Sequence, residues 1–329
     1  MTAGAPVLIT GVAGFIGHAT AQRLLARGDR VIGIDNLNAH YDPALKAARL
    51  ATLDGHAAFQ FVKTDITEPE DIARLVRDHA VRRVIHLAAH AGVRRSTAAP
   101  LPCERTNVAG HLAVLEACRQ TPGFEHLLYA SSSSVYGDRP LGAAGFREDD
   151  PADTPVSVYA ATKRAAELIS QSYAALHGLP QTGLRFFTVY GPWGRPDMAY
   201  FRFTRQIIAG EPLNIYGGGE MARDFTYIDD IVDGIVGALD RAPAAGEHRI
   251  FNIGEGRPEG LMTMIATLEA ALGRTARTVM QPMQPGDVTT TRADITRLHR
   301  LTGYSPQVRL AEGLQRFVDW YRDFYGVAA

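Results

Sequence analysis

Short apolar runs alternate with longer segments of helical periodicity over the first part of the chain. Runs this continuously apolar are typical of strands in a parallel sheet that helices cover on both faces. Strand, helix and strand in one sheet are joined by a right-handed crossover. The pattern therefore predicts an α/β fold, a Rossmann-type doubly wound parallel sheet, with strands in residues 7–9, 31–34, 58–62, 84–88, 126–129 and 183–187.

The pattern changes after Tyr190, where Pro- and Gly-rich loops separate shorter helical segments. We therefore predict a first domain in residues 1–190 and a smaller α/β lobe in residues 191–329, with some segments interleaved between the two. The crevice between such units is where ligands usually bind. The long helical patterns of residues 101–120 and 157–177 carry apolar stripes, which either face the sheet or pair across a two-fold axis.

The charge balance limits the possible partners. Lys plus Arg number 34 and Asp plus Glu number 35, so no global field attracts nucleic acid or an anionic membrane. No apolar run reaches the roughly 18 residues of a membrane span, and residues 6–10 are typical of a first strand rather than of a signal peptide. The two cysteines, Cys103 and Cys118, are too few for a disulfide framework or a zinc site, and we predict both in helices. We expect a cytoplasmic protein without a metal site.

A glycine-rich turn follows the first predicted strand. The segment GVAGFIG places Gly11, Gly14 and Gly17 at the opening of a helix, where backbone N–H groups and the helix dipole favour a pyrophosphate. Asp35, at the end of the second strand, would accept both ribose hydroxyls and repel a 2′-phosphate, which favours NAD over NADP. The alternative is a tight turn that binds no ligand. Asp65, just past the third strand, either holds the adenine edge or caps a helix.

A tyrosine and a lysine share the segment YAATK. In a helix this i, i+4 spacing places Tyr159 and Lys163 on one face. An ammonium about 4 Å from a phenol contributes about 4 kcal/mol at an effective dielectric of 20, enough to lower the pKa of the phenol by about three units. We therefore predict that Lys163 alone can prepare Tyr159 to act as a general base.

Four serines follow the fifth predicted strand, in the segment SSSSVYG that begins at Ser131. At the carboxyl end of a parallel strand, their hydroxyls would project toward the crevice and could bind a reacting alcohol. Taken alone, the serines are more typical of a turn. Beside the Tyr/Lys pair and the glycine-rich turn, a binding role is favoured.

Together these segments resemble the extended short-chain dehydrogenase/reductase superfamily and, within it, the UDP-glucuronate 4-epimerases. The resemblance covers nearly the whole chain. Its more specific part is formed by GPWGRPDMA and RDFTYIDDI. The other segments that carry it are GVAGFIG, GIDNLN, YDPALK, HLAAH, SSSSVYG, YAATK, LRFFTVY and MQPGDV.

The resemblance implies site residues position by position. Tyr159 is the implied acid/base, Lys163 its activator and nicotinamide-ribose ligand, and Ser132 the third catalytic residue. With Tyr159 and Lys163, the implied NAD-binding residues are Gly11, Gly14, Phe15, Ile16, Gly17, Asp35, Asn36, Asn38, Asp65, Ile66, Leu87, Ala88, Ala89 and Asn107. The implied residues for the UDP-sugar substrate are Arg94, Ser133, Ser134, Thr188, Arg195, Arg223 and Asp287.

The implied reaction is reversible epimerisation at carbon 4 of UDP-glucuronate to UDP-galacturonate, through a 4-keto sugar and with a tightly held, recycled NAD. The 4-keto intermediate is a β-keto acid. We expect Ser133, Ser134 and Thr188 to hold its carboxylate near the ring plane and so prevent loss of carbon dioxide. The resemblance places Arg223 and Arg195 near the diphosphate, although Arg195 could serve the carboxylate, and it places Asp287 on the uridine ribose. It also implies a homodimer.

Other functions share the fold. Serines stand where related dehydratases have Asp and Glu, which disfavours elimination of water. UDP-hexose 4-epimerases usually have Asn in the place of Thr188, and UDP-glucuronate decarboxylases lack the GPWGRPDMA segment. A redox-sensing NAD-binding regulator is the alternative outside catalysis, although such proteins commonly lose the Tyr or the Lys of the pair. His18, His90 and Arg95 depart from the family pattern, and no residues give these histidines a metal-ligand spacing.

Overall fold

The predicted strands, and helices between them, follow one another along residues 4–142, 145–282 and 288–327, the part of the chain that this computed structural model describes. The first strands are β1 Val7–Thr10, β2 Val31–Asp35, β3 Phe59–Lys63, β4 Arg83–His86, β5 His126–Ser132 and β6 Gln181–Phe186. The first helices are α1 Phe15–Arg27, α2 Pro43–Ala51, α3 Pro69–Asp78, α4 Val93–Ala98, α5 Pro100–Glu104, α6 Gly110–Arg119 and α7 Val158–His177. Each apolar run of the sequence supplies one strand.

These strands lie in one parallel sheet with a further strand, β10 His248–Ile253, in the order β10-β6-β5-β4-β1-β2-β3. The prediction of a Rossmann-type α/β fold is confirmed. The sequence pattern does not predict β10, because His248, Arg249 and Asn252 interrupt its apolar residues. The strand order reverses between β1 and β4, so a crevice opens at their carboxyl ends.

Successive residues of β1 pack into two different apolar layers. Val7 and Ile9 belong to the same cluster as Leu24 of α1, whereas Leu8 belongs to the cluster that contains Val114 of α6. All three β1 residues are fully buried. Because both faces of the sheet are covered, the strand is apolar at each of these positions.

After residue 190 the chain forms a lobe and also returns to the large sheet. Within the described residues, one small sheet contains β7 Thr188–Tyr190, β9 Ala222–Tyr227 and β11 Pro258–Gly260, and another contains β8 Leu213–Tyr216 and β12 Thr278–Gln281. The helices are α8 Ala199–Ala209, α9 Ile228–Leu239, α10 Leu261–Leu272, α11 Thr296–Thr302 and α12 Leu310–Tyr325. Helix α9 packs against α1, and β10 lies beside β6. The domain boundary at residue 190 stays a prediction.

A buried ion pair joins α7 to β6 beneath the crevice. Arg185 donates from Nε and Nη2 to the two carboxylate oxygens of Glu167, each at 2.8 Å. Ser131 Oγ donates to the same carboxylate at 2.6 Å. Burial alone would raise the pKa of Glu167, but these bonds and the guanidinium charge hold it below its ordinary value. The pair therefore fixes α7 against the strand ends as a fully bonded polar contact.

Three of the buried histidines, His18, His111 and His126, illustrate how the fold keeps such rings uncharged. Burial lowers the pKa of His18 and of His111 to about 3 and that of His126 to about 4. All three rings bond to hydroxyls. His18 Nε2 lies 2.7 Å from Thr52 Oγ1, His111 Nε2 lies 2.8 Å from Ser170 Oγ, and His126 Nε2 lies 2.9 Å from Thr182 Oγ1. Protonation of any of them would place a charge in the interior without an opposing carboxylate.

We expect the free energy of unfolding to fall steeply in mild acid. Unfolded histidine titrates near 6.5, so below that pH the unfolded chain binds protons that His18, His111 and His126 refuse in the fold. At about 1.4 kcal/mol per pH unit for each histidine, these three contribute a loss of about 4 kcal/mol between pH 6 and pH 5. The buried His86, whose pKa also lies well below its ordinary value, adds to this loss. Urea denaturation at both pH values measures it. Replacement of the exposed His177 by Gln should leave the slope unchanged, and equal stability at the two pH values would contradict the assignment.

Candidate active site

A cavity of about 520 Å³ opens at the carboxyl ends of the strands of the large sheet. The glycine-rich turn after β1, the ends of β2, β4 and β5, and the first turns of α7 contribute to its wall. The predicted site residues that line it are Gly11, Gly14, Phe15, Ile16, Gly17, Asp35, Asn36, Asn38, Ile66, Leu87, Ala88, Ala89, Ser132, Ser133, Ser134, Tyr159, Lys163, Thr188, Arg195 and Arg223. The fold thus brings together side chains that lie far apart in the sequence.

The turn between β1 and α1 has no room for side chains. A Cβ atom on Gly17 would lie 2.2 Å from the carbonyl oxygen of Gly11, and one on Gly11 would lie 2.8 Å from the backbone nitrogen of Ala88. Gly11 has a φ of 75°, which glycine adopts without strain. Gly14 caps the N-terminus of α1, so the unpaired N–H groups of this helix lie at the cavity wall. These features fit the pyrophosphate of a dinucleotide.

Asp35 is buried at the end of β2, beside Lys46, whose place in the site no sequence pattern predicts. Its Oδ1 accepts a hydrogen bond from the backbone N–H of Leu37 at 2.8 Å and lies 3.4 Å from Lys46 Nζ. Lys46 also donates to Asn38 Oδ1 at 3.1 Å. The only available signal was that Lys46 is one of three lysines in the chain. Together, Asp35, Lys46 and Asn38 offer acceptors and donors to a pair of ribose hydroxyls.

Two predicted cofactor residues lie behind the cavity wall. Asp65 accepts a hydrogen bond from Asn36 Nδ2 at 2.7 Å, and so orients a residue that lines the cavity. Asn107, in the π-helical turn between α5 and α6, accepts from the backbone N–H of His90 at 2.8 Å and donates to Thr162 Oγ1 at 3.0 Å. Direct contact of Asp65 or Asn107 with a cofactor stays a prediction.

Tyr159 and Lys163 lie in the first two turns of α7. Lys163 Nζ donates to the carbonyl oxygen of Ala130 at 2.8 Å, which ties the helix to the end of β5. Burial lowers the pKa of Lys163 to about 8. The Ser132 hydroxyl accepts a hydrogen bond from the backbone N–H of Ser134 at 3.2 Å and so caps the short turn after β5. A phenol, an ammonium and a hydroxyl therefore surround one corner of the cavity.

The phenol of Tyr159 is controlled by more than the lysine. Burial raises the pKa of Tyr159, and a hydrogen bond with Ser132 and the charge of Arg195 oppose this rise. That Lys163 prepares the phenol stays a prediction. In this structure its ammonium donates to the carbonyl oxygen of Ala130, and the charge of Arg195 also acts on the phenol.

Arg195 reaches the cavity from the loop that follows β7. Its guanidinium forms a salt bridge with Asp197 at 2.6 Å and donates to the carbonyl oxygen of Ala91 at 3.3 Å. Burial opposes the charge, but the carboxylate of Asp197 raises the pKa of Arg195, which remains a cation. An oxygen of a ligand in the cavity can accept a hydrogen bond from it.

A smaller cavity of about 180 Å³ shares Thr188 and Arg223 with the first. Arg94 lies in its wall, with the guanidinium carbon 5.4 Å from the centre of the Tyr216 ring. Arginines beside an aromatic ring suit the diphosphate and the base of a nucleotide. Asp287, which the sequence analysis predicts at this end of the site, lies outside the described residues.

His18 and His90, two of the residues that depart from the family pattern, each pack against another ring. The His90 ring lies 4.4 Å from that of His40, and burial together with the charge of Arg95 lowers the pKa of His90. His18 packs edge-on against Trp193, with ring centres 5.5 Å apart. Among the described residues, no group of three or more His, Cys, Asp or Glu side chains could hold a metal ion, and no helix is long and apolar enough to cross a membrane.

Fold and site together define a class. A doubly wound sheet whose crevice combines a glycine cradle with serine, tyrosine and lysine is typical of enzymes that move hydride to and from an alcohol carbon by means of a dinucleotide. The chain belongs to the NAD dependent epimerase/dehydratase family, whose sequence profile matches residues 7–254. The superfamily resemblance seen in the sequence is confirmed.

Proteins similar to this chain include epimerases of acidic and of neutral sugars. UDP-glucuronate 4-epimerase 3 of Arabidopsis thaliana is 44% identical, over 98% of this chain and 77% of that protein. The UDP-glucuronic acid 4-epimerase of Bacillus cereus, solved in complex with UDP-glucuronic acid and NAD, is 35% identical with a TM-score of 0.91 and covers 97% of this chain and 100% of that chain. The UDP-glucose 4-epimerase of Thermotoga maritima, solved with UDP-glucose, is 30% identical with a TM-score of 0.88 over 97% of this chain and 99% of that chain.

Proposed function

We propose that this chain is an NAD-dependent sugar-nucleotide 4-epimerase that interconverts UDP-glucuronate and UDP-galacturonate. The observation that carries this proposal is that the neutral hydroxyls of Ser133, Ser134 and Thr188 line the same cavity as Tyr159 and Lys163. Similarity over nearly the whole chain to relatives named for UDP-glucuronate supports the substrate. A UDP-hexose 4-epimerase is the second candidate, because a neutral-sugar enzyme shares the fold at 30% identity.

The glycine-rich turn would hold the pyrophosphate of NAD, and Asp35 its adenosine ribose. When bound, the dinucleotide supplies the acceptor and later the donor of the hydride at carbon 4. Tyr159 takes the proton of the 4-hydroxyl as a general base and later returns a proton to the carbonyl oxygen. Ser132 hydrogen-bonds to the same oxygen and orients it toward the phenol. Lys163 holds the end of β5 and would also hold the nicotinamide ribose.

The hydroxyls of Ser133, Ser134 and Thr188 protect the oxidised sugar. A ketone at carbon 4 beside a carboxylate on carbon 5 is a β-keto acid, which loses carbon dioxide when the bond to the carboxylate stands perpendicular to the plane of the ketone. Hydrogen bonds that keep the carboxylate near the ring plane prevent this alignment. Acidic side chains at positions 133 and 134 would repel the carboxylate, whereas hydroxyls donate to it.

The remaining substrate residues divide between the two ends of the UDP-sugar. Arg223 and Arg94, in the wall of the smaller cavity, would bind the UDP portion. Arg195, in the wall of the larger cavity, would bind the sugar end or the diphosphate next to it. Asp287 stays a prediction for the uridine ribose.

Incubation with UDP-glucuronate, followed by proton NMR, tests the function. We expect UDP-galacturonate to form without UDP-xylose or a 4-keto-pentose. Tyr159→Phe should lower kcat by at least about 10²-fold, because it removes the general base, while Tyr325→Phe, on the partly exposed end of α12, serves as a control with normal kcat. Conversion of UDP-glucose alone would favour the neutral-sugar enzyme, and no turnover of either sugar would favour a regulator.

Removal of the three hydroxyls should change which product forms. In the variant S133A/S134A/T188A, part of the substrate should leave as carbon dioxide and a UDP-4-keto-pentose, because the carboxylate can then rotate out of the ring plane. Release of labelled carbon dioxide from carboxyl-labelled UDP-glucuronate measures this. Ser172→Ala, an exposed serine of α7, is the matched control. An unchanged product without carbon dioxide would refute the assigned role.

We also propose that two copies pair through α5, α6 and α7. The side chains of Leu101, Leu168 and Leu176 are 77%, 53% and 76% exposed, while other apolar residues of α6 and α7 are buried in the same chain. In this proposal, the buried apolar residues of α6 and α7 pack within the chain and the exposed leucines of α5 and α7 face the partner copy. A two-fold axis would bring the exposed leucines of one copy against those of the other.

Sedimentation velocity should give about twice the chain mass of 35.7 kDa. Leu168→Glu should shift the protein toward the monomer, because a two-fold contact would desolvate both introduced carboxylates. Met280→Glu, at a 58% exposed position on β12, should leave the dimer intact. A wild-type protein that sediments as a monomer at micromolar concentration would overturn the proposed pairing.

We propose the cytoplasm as the location of the protein. Cys103 in α5 and Cys118 in α6 are both free and buried, in helices as predicted. Unpaired thiols are typical of proteins in a reducing compartment.

A further inference from the structure

Arg49 of α2 is one of the largest fully buried side chains of the described protein. Its Nε and Nη2 both donate to the carbonyl oxygen of Trp193, at 3.1 and 2.5 Å, and Nη2 donates also to that of Gly194 at 3.1 Å. Its Nη1 donates to the carbonyl oxygen of Ala13 at 2.9 Å and to the Tyr41 hydroxyl at 2.6 Å. All five N–H groups of the guanidinium are therefore used.

This cation has no carboxylate partner among the described residues. Burial lowers the pKa of Arg49, which reflects the cost of holding a charge away from water. Ordinary packing would be satisfied by an apolar side chain at lower cost. The guanidinium instead joins two segments that are distant in sequence, since Ala13 belongs to the glycine-rich turn and Trp193 to the loop after β7.

The loop that Arg49 holds is in a strained conformation. Trp193 has a φ of 62°, in the left-handed region, which is strained for a residue that carries a side chain. The indole is fixed by aromatic neighbours, with ring centres 5.2 Å from Trp320 and 5.1 Å from Phe324. Arg49 holds the backbone of the same residue by its carbonyl oxygen. Ring packing and guanidinium together keep this backbone in place.

Arg195 follows two residues after Trp193 and is the residue that the loop presents to the cavity. Its guanidinium bonds to Asp197 and to Ala91, and its charge acts on the Tyr159 phenol. A shift of the loop backbone by a fraction of an ångström would move this charge relative to the phenol. Misplacement of this size is costly in catalysis.

We propose that Arg49 is a positioning residue that locks the loop of residues 191–195 onto the glycine-rich turn and thereby sets the place of Arg195 in the cavity. Because Arg49 bonds to both segments, the position of Arg195 beside the sugar would depend on the same glycine-rich turn that would receive the pyrophosphate. This inference rests on the proposed function for its kinetic consequences, but the lock itself is a property of the fold. Lysine cannot replace Arg49, because one ammonium has three N–H groups and no planar fork.

The test uses Arg49→Lys, which keeps the charge, and Tyr41→Phe, which removes one acceptor and leaves the arginine. The chain has two tryptophans, so a Trp320→Phe background makes Trp193 the single tryptophan, whose emission is excited selectively at the red edge of the absorption band. In that background we expect Arg49→Lys to raise acrylamide quenching of Trp193 at least about twofold, because the loop is released from its bonds. Tyr41→Phe should shift quenching in the same direction by less. Arg300→Lys, at an exposed position on α11, should give the quenching of the parent.

Kinetics separate positioning from a merely structural role. With UDP-glucuronate, Arg49→Lys should lower kcat at least about tenfold with a smaller change in KM, and it should move the pH dependence of kcat to higher pH, because Arg195 no longer opposes the rise in the pKa of Tyr159. A folded Arg49→Lys protein whose Trp193 quenching and kcat both equal those of its parent would overturn the proposal. An equal loss of kcat in Arg49→Lys and Arg300→Lys would also overturn it. If the Arg49→Lys protein does not fold, Tyr41→Phe decides by the same two measurements. If the wild type does not turn over UDP-glucuronate, the proposed function fails, and the quenching result still judges the lock.

Discussion

The hydrogen bond from Lys163 to the carbonyl oxygen of Ala130 is the contact on which the catalytic corner depends. Tyr159 lies one helical turn before Lys163, and Ser132 lies two residues after Ala130. A single bond between helix and strand therefore brings phenol and hydroxyl to the same part of the crevice. One turn further along α7, the buried carboxylate of Glu167 bonds to the arginine of β6 and holds the helix in the same register. Polar contacts beneath the cavity thus fix the positions of the Tyr159 phenol and the Ser132 hydroxyl.

Burial is the largest influence on the titrating groups of this corner. It lowers the pKa of Lys163 and raises that of Tyr159, so it favours the uncharged form of each group. The balance for the phenol is then set by what surrounds it, namely the hydroxyl of Ser132 and the guanidinium of Arg195. Each positive charge added near the phenol favours its ionised form. The position of the loop that carries Arg195 therefore influences the pKa of Tyr159.

The fold and most of the cavity wall could be predicted because their signals are local. Continuous apolar strands, glycines at a strand end and an i, i+4 pair are visible in short segments. Strand β10 gave no such signal, since polar residues interrupt it. Lys46 and Arg49 gave none either, because a cation on an amphipathic helix is normally solvated, and only the tertiary structure buries these two. The influence of Arg195 on Tyr159 was missed for the same reason, as it joins a loop and a helix by way of the folded crevice.

The distribution of charge around the cavity explains why hydroxyls and arginines occupy different places. A free cation against the ketone and the carboxylate would stabilise the enolate that forms when carbon dioxide leaves. Under the proposed function, the hydroxyls of Ser133, Ser134 and Thr188 would bind the carboxylate without that effect. Arg195 carries its own carboxylate, Asp197, at 2.6 Å, so the loop contributes a directed hydrogen-bond donor with little net charge at longer range. A site built in this way can oxidise an acidic sugar and return it intact only while the loop keeps the arginine and its partner in place.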